Sequence, residues 1–383
     1  MLQLCWRRML INNPDKLGFY YTPTQKSYNK LDIISSVDTY VSYNFNDEVY
    51  TKVNWLVPPN ISLWELYKTR ARQIREKYDY CVIFYSGGSD SQNILDAWLD
   101  AGCKVDEVAT FHYFKGSGNK YSFMNAEVTH VAFPRIKKLQ ETHKFKFREI
   151  DISDDVVDIF SNNEFVDDYA TWASQYLSPN NYAKINWRTK NNDYTKMITA
   201  GKTVCFIWGA DKPSVFVDET GKWYFQFMDI FSDSINPWTQ RNAINLGLYD
   251  ELFYWTPDLP EMIVKQAHAI KQFCTTNNNR QHYTTEKTRF GYNRALNMFL
   301  TPHAVKNIIY PTWDPATFCD GKTLSSVWSL RDQWFIHSGL QSANKFKSAS
   351  LSLINAVPAH YRRDITNPLE GIIPSVSNRY YLE

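Results

Sequence analysis

Six consecutive residues, Ser86-Gly87-Gly88-Ser89-Asp90-Ser91, combine the side chains and the backbone freedom that holding a phosphate requires. Two adjacent glycines let the chain bend sharply and bring its amides close to an oxyanion with no Cβ in the way. The hydroxyls at positions 86, 89 and 91 can donate to phosphate oxygens. Asp90 is the misfit, because a carboxylate beside phosphates is repelled unless a cation lies between them. Mg²⁺, which accepts carboxylate, water and phosphate oxygens together, resolves it. The five fixed positions of S-G-G-x-D-S arise by chance in a chain of this length on the order of once in a thousand sequences.

The neighbouring elements say where this turn must sit. Strand-like "YCVIFY" runs into it, and a helix from Gln92 to Ala101, stopped by Gly102, leaves it. The unpaired amides at the start of that helix add positive potential. The alternation continues: "EVATFHYF" leads through "KGSGNK" to a helical segment around 125 to 143, "FKFREIDI" leads to further helices, and "TVCFIW" closes the series. Strand and helix taking turns imply an α/β fold, a parallel sheet with right-handed crossovers and helices on both faces. In such sheets ligands lie beyond the carboxyl ends of the strands, where this turn falls.

Ahead of the sheet, residues 14 to 57 read as short strands and turns ending at Pro58-Pro59, a small N-terminal β-rich element. Ser62 caps a helix running to Lys77, whose Lys68, Arg70, Arg72, Arg75 and Lys77 read as a solvated basic face. Three regions follow: 1–59, β-rich; 60–230, the phosphate-binding α/β domain; and 231–383, mostly helical and rich in Trp, Tyr and Pro, expected to build an acceptor pocket.

On the S-G-G-x-D-S turn and its strand-to-helix setting, residues 79 to 101 resemble the PP-loop of the N-type ATP pyrophosphatases. These belong to the adenine nucleotide α-hydrolase superfamily, which includes asparagine synthetase; element order extends the resemblance to about residue 213. It implies ATP bound across the strand ends, with Ser86, Gly87, Gly88, Ser89, Asp90 and Ser91 on the pyrophosphate portion. Asp90 would hold Mg²⁺ and serve catalysis, and Phe111 and His112 at the next strand end would lie near adenine or ribose. A substrate oxygen then attacks the α-phosphorus, giving an adenylated intermediate and pyrophosphate. The later break "CFIWGADKP" loosely resembles the family's loop after its fourth strand. There Asp211 is expected to complete the metal site and Lys212 to meet a phosphate or an acidic substrate; an ordinary strand-ending turn is the plain alternative.

The chain departs from asparagine synthetases in two ways. Their aspartate-rich second metal loop is not present as such, and no cysteine follows Met1 where glutamine-hydrolysing members place their nucleophile. An amide-forming enzyme of this kind takes ammonia or an amine directly or from a separate protein. The expected activity is an AMP-forming ligase or amidotransferase-like synthetase acting on a small-molecule acceptor. A PP-loop enzyme modifying a nucleic-acid base and a non-catalytic nucleotide-binding module are the alternatives.

Other signals carry less. Both "GKT" triplets lack the Walker A glycine five residues upstream, where Lys196 and Ala316 stand. "GSGNKY" lacks a third glycine and reads as a crossover loop, with a lid as its alternative. His268 reads as a packed helix histidine; Asp151, Asp154, Asp155 and Asp158 as acids favoured at a helix start, with an approach of Asp151 to the cleft as its alternative; and Lys287, Arg289 and Arg294 as surface cations, with anion binding as theirs. With 42 basic against 40 acidic side chains, no global field favours nucleic acid or an anionic membrane. Six cysteines without a CxxC pair and the absence of a long apolar run lead to the expectation of a cytoplasmic protein with reduced thiols.

Overall fold

The computed structural model describes residues 15–35, 40–120, 122–162, 178–209, 213, 215–229, 246–276, 308–312, 330–362 and 372–383. Its centre is a five-stranded, wholly parallel sheet made of β4 (Tyr80–Phe84), β5 (Glu107–His112), β6 (Lys146–Asp151), β7 (Val204–Trp208) and β10 (Leu248–Leu252). The spatial order is β10-β7-β4-β5-β6. From β4 the chain builds outward through β5 to β6, then returns to place β7 on the other side of β4. The order therefore reverses between β4 and β7, and the polar turn leaves β4 at that reversal, where doubly wound sheets open a crevice for ligands.

Alternating side chains assign each strand residue to one face. On one face Phe84, Phe111 and Phe206 stack in a row that α7 (Pro179–Lys190) and α8 (Asn192–Thr199) cover through Trp187 and Tyr194. The other face carries α3 (Leu63–Lys77), α4 (Ser89–Asp100) and α5 (Phe133–Gln140), with α9 (Pro260–Thr276) packed on α3. Beyond α7 lie α6 (Ser153–Ser161), α10 (Leu330–Ile336) and α11 (Gln341–Ala356). The expected α/β class and its parallel sheet with helices on both faces are therefore present. The N-terminal element expected to be β-rich is mixed: an antiparallel sheet of β1 (Phe19–Tyr21), β2 (Lys26–Ser27) and β3 (Ser42–Asn44), with two short helices, α1 (Lys30–Ile34) and α2 (Asp47–Tyr50). A third small sheet joins β8 (Val215–Val217), β9 (Trp223–Phe225) and β11 (Tyr380–Tyr381).

Strand β10 falls beyond residue 230, inside the segment expected to be mostly helical. It carries two consecutive acids, Asp250 and Glu251, both fully buried. The pleat sends them to opposite faces. Asp250 pairs with buried Arg188 of α7 and accepts the Trp208 indole N–H at 2.7 Å. Glu251 pairs with Lys16, with Arg70 at 2.6 Å and with Lys77 at 3.3 Å. Burial opposes the Glu251 charge, but those three cations outweigh it and hold the carboxyl far below its usual range.

These pairs also correct the reading of α3 as presenting a solvated basic face. Arg70 is buried on Glu251, Arg75 reaches Asp106, Lys77 joins Glu251, and Lys68 meets Glu65 at 2.6 Å and Asp100 at 3.3 Å. The helix start matches expectation, with Ser62 Oγ accepting the Glu65 amide at 3.1 Å.

Helix α4 starts earlier than the expected Gln92. Gly88 stands at its N-cap in an extended conformation (φ −77°, ψ 160°), and its carbonyl takes the Gln92 amide at 3.0 Å. The amides of Ser89, Asp90 and Ser91 therefore form the first turn, where no intrahelical acceptor exists.

Candidate functional site

The turn is built by its own side chains. Ser91 Oγ accepts the Ser86 amide at 3.2 Å and donates to the Gly88 carbonyl at 3.0 Å, while Ser86 Oγ accepts the Gly88 amide at 3.2 Å. The Ser91 hydroxyl proton is directed to the Gly88 carbonyl, so the Ser91 side chain shapes the loop from within. Ser89 Oγ is buried without a hydrogen-bond partner. A buried hydroxyl without a partner therefore stands beside three helix-start amides that have no acceptor within the helix, a donor set chemically suited to an anion.

Gly87 has φ +85°, the left-handed region that glycine enters without cost. A Cβ there would stand 2.6 Å from the Glu127 carbonyl oxygen and 3.0 Å from the Ala132 amide, so the turn also needs hydrogen at that position for space. The segment it touches, Val128–Ala132, is a π-helical turn leading into α5; such turns concentrate at functional sites. It brings the Glu127 carboxylate to the loop: a Cβ at Gly88 would lie 3.4 Å from Glu127 Oε1.

Asp90 lies in the first turn of α4, half-buried, between β7 and the C-terminal part of the chain. A Cβ at Gly209, the residue after β7, would lie 3.3 Å from the Asp90 Cβ, so the two breaks flanking the β4/β7 reversal are in contact. Buried Tyr310 donates its hydroxyl to Asp90 Oδ1, and Tyr254 donates to the Asp90 main-chain oxygen at 2.7 Å. Burial first, and the Asp90 charge second, push both phenols well above their ordinary range, so they remain protonated donors. Among the described residues no backbone amide donates to the Asp90 carboxylate; the first bond of its helix runs from the Gln92 amide to the Gly88 carbonyl.

Phe111 and His112 follow each other on β5 and so face opposite sides of the sheet. Phe111 stacks on Phe84 at 5.1 Å and meets Trp187 edge-on. His112 is buried on the α5 side, stacked on Phe114 at 3.8 Å. Its Nδ1 accepts the Phe114 amide at 3.4 Å, and Nε2 lies 3.1 Å from Glu149 Oε1 without hydrogen-bond geometry. Burial pushes its pKa below the ordinary value against the pull of Asp151 and Glu149, leaving a neutral ring. Both stand at the carboxyl end of β5, with their side chains leaving the sheet on opposite faces.

Asp211 and Lys212 lie outside the described residues, as do Lys287, Arg289, Arg294 and the second "GKT". His268 is a structural histidine, with Nε2 2.8 Å from the Trp55 carbonyl. Asp151 caps α6 through the Ser153 amide and hydroxyl, and Asp154 pairs with Lys115. The "GSGNK" loop is docked: a Cβ at Gly116 would fall 2.3 Å from the Trp334 ring of α10.

Sequence reasoning missed Tyr310, Tyr254 and Glu127. None carries a local signal: Tyr310 reaches Asp90 across 220 residues, and Glu127 reaches the loop through the π-turn. Two surface cavities, of about 480 and 470 Å³, lie around Lys104, His143 and Lys146 and around Trp64, Asp96 and Arg135; neither is lined by residues 86–91. Among the described residues no three His, Cys, Asp or Glu side chains form a metal cage, and no helix is long and apolar enough to cross a membrane. No protein-family model matches the chain, and no curated protein matches its sequence.

Proposed function

We propose that the chain is an ATP-dependent, AMP-forming synthetase of PP-loop type, with the adenine nucleotide α-hydrolase fold and a small-molecule acceptor. The observation that carries this reading is the position of the S-G-G-S-D-S turn. It leaves the central strand at the order reversal, opens a helix whose first three amides have no acceptor within the helix, and keeps the Ser89 hydroxyl buried without a partner. Amides of 89–91, Ser89 Oγ and the Gly88 backbone hold the β- and γ-phosphates and favour the charge that collects on pyrophosphate as it leaves.

Asp90 is the residue that would hold Mg²⁺, with Asp211 as the expected second ligand. When bound, the ion neutralises phosphate charge. A carboxylate or carbonyl oxygen of the acceptor forms a bond to the α-phosphorus as the bond to pyrophosphate breaks. A nitrogen nucleophile then displaces AMP from the adenylated acceptor.

AMP and pyrophosphate release, measured against a metabolite panel with tRNA and DNA included, tests the reading. Stimulation by a small molecule is expected; stimulation by a polynucleotide selects base modification, and none at all leaves a non-catalytic nucleotide-binding module. Asp90→Asn should abolish magnesium-dependent turnover with the fold intact, and unchanged turnover in that variant would refute the metal role.

A further inference from the structure

Asp90 is gripped from outside its own sheet domain. Tyr310 belongs to the short described segment 308–312 and is 2% exposed. Its place is fixed by a chain of contacts. Gln266 Nε2 of α9 donates to Tyr67 Oη of α3 at 2.9 Å, and Tyr67 donates to the Ile309 carbonyl at 2.6 Å. The Tyr310 ring also packs on Tyr254 at 5.5 Å, and Tyr254 meets Tyr67 edge-on at 5.7 Å. Three tyrosines thus form a wall whose two nearest hydroxyls serve the same residue, one at its backbone and one at its carboxylate.

The two hydroxyls have different consequences. Tyr254 binds the main-chain oxygen and leaves the carboxylate rotamer alone. Tyr310 binds Oδ1 and sets that rotamer. A phenol is a neutral donor, so it orients the carboxylate without cancelling the charge that attracts a cation; an Arg or Lys in its place would form an ion pair and compete with the metal.

We infer that Tyr310 is a positioning residue for divalent-cation binding at Asp90: the C-terminal region completes the metal site by holding the Asp90 carboxylate in one orientation. This rests on the PP-loop reading of the turn. Tyr310 acts on the carboxylate oxygen and Tyr254 on the main chain, so removing the Tyr310 hydroxyl takes away a charge-assisted hydrogen bond to the carboxylate while the Tyr254 contact to the helix backbone stays.

The test is binding of Mn²⁺, followed by electron paramagnetic resonance, to the full chain saturated with a non-hydrolysable ATP analogue. Calorimetry of the analogue with and without metal runs beside it, on wild type, Tyr310→Phe and Tyr254→Phe. Tyr310→Phe is expected to weaken Mn²⁺ binding about tenfold, the effect of a hydrogen bond to a charged group. Its affinity for the analogue in the presence of a chelator should not change. Tyr254→Phe loses an equally buried hydroxyl and is expected to keep wild-type Mn²⁺ affinity, which separates orientation from general loosening. Equal Mn²⁺ affinity in wild type and Tyr310→Phe overturns the inference and leaves the PP-loop reading standing. Equal weakening in both variants overturns it too, as a packing effect. A wild-type chain that binds no analogue overturns the reading itself.

Discussion

Adjacent glycines in the turn should respond in opposite ways to the same substitution. Gly87→Ala puts a side chain into the left-handed region, which costs about 1–2 kcal/mol for a residue with a Cβ. The new carbon stands 2.6 Å from one backbone atom and 3.0 Å from another, both held by the π-turn, so neither can swing aside. Overpacking of that kind adds about 1–3 kcal/mol, and the reduced freedom of the unfolded chain returns about 0.4–1 kcal/mol. The net expectation is a loss of about 1–5 kcal/mol, centred on about 3. Gly88→Ala meets none of these obstacles. Its φ of −77° suits alanine, and its nearest neighbours, Ser86 Oγ at 3.3 Å and Glu127 Oε1 at 3.4 Å, are side-chain ends that can move. Alanine is a poorer N-cap than glycine, but the same entropy term offsets it, so stability should stay within about 0.5 kcal/mol of wild type. What Gly88→Ala should lose is ligand: a methyl on the loop keeps phosphate oxygens from the amides, and affinity for Mg²⁺-ATP should fall at least about tenfold. Urea denaturation and calorimetric titration of both variants decide the matter. A Gly87→Ala midpoint equal to wild type defeats the steric argument, and a Gly88→Ala chain that binds nucleotide normally defeats the phosphate assignment.

Further outcomes can be checked on the same protein. Glu251 is held ionised far below its ordinary pKa, so its contribution is complete above the unfolded value of about 4.3 and drains as pH falls from there, by up to about 1.4 kcal/mol per pH unit; urea midpoints at pH 5, 4 and 3 should show the decline. His112 behaves as a base whose folded pKa is depressed. The unfolded chain takes up its proton first, near pH 6.5, so stability is full above that value and declines below it, and His112→Asn should flatten the slope below about pH 6.5. Gly116→Ala drives a methyl into the Trp334 ring and should cost about 1–3 kcal/mol, with a change in Trp fluorescence reporting displacement of α10.

Alternation of strand and helix was legible because each buried strand reads as an apolar run, and "YCVIFY" and "TVCFIW" became β4 and β7. The turn between β4 and α4 was legible for the opposite reason, since its glycines and lone acid suit no packing role. Strand β10 was not. "LYDEL" carries two charges that look solvent-facing until Arg188 on one side and Lys16 with Arg70 on the other are brought in from 62 to 235 residues away. The basic stripe of α3 misled in the mirror-image way: spacing showed cations on one face but not the acids that meet them. At the site itself, the backbone cradle could be read locally, whereas Glu127 and Tyr310 depend on tertiary placement that no spacing rule reaches.

The distance along the chain between Asp90 and Tyr310 has a consequence for synthesis. A polypeptide still on the ribosome exposes the glycine turn long before residue 310 has been translated, so the nascent protein carries that turn without the Tyr310 contact to its acid. On the reading proposed for the turn and for Tyr310, a partly made copy would hold a divalent cation more weakly than the finished chain.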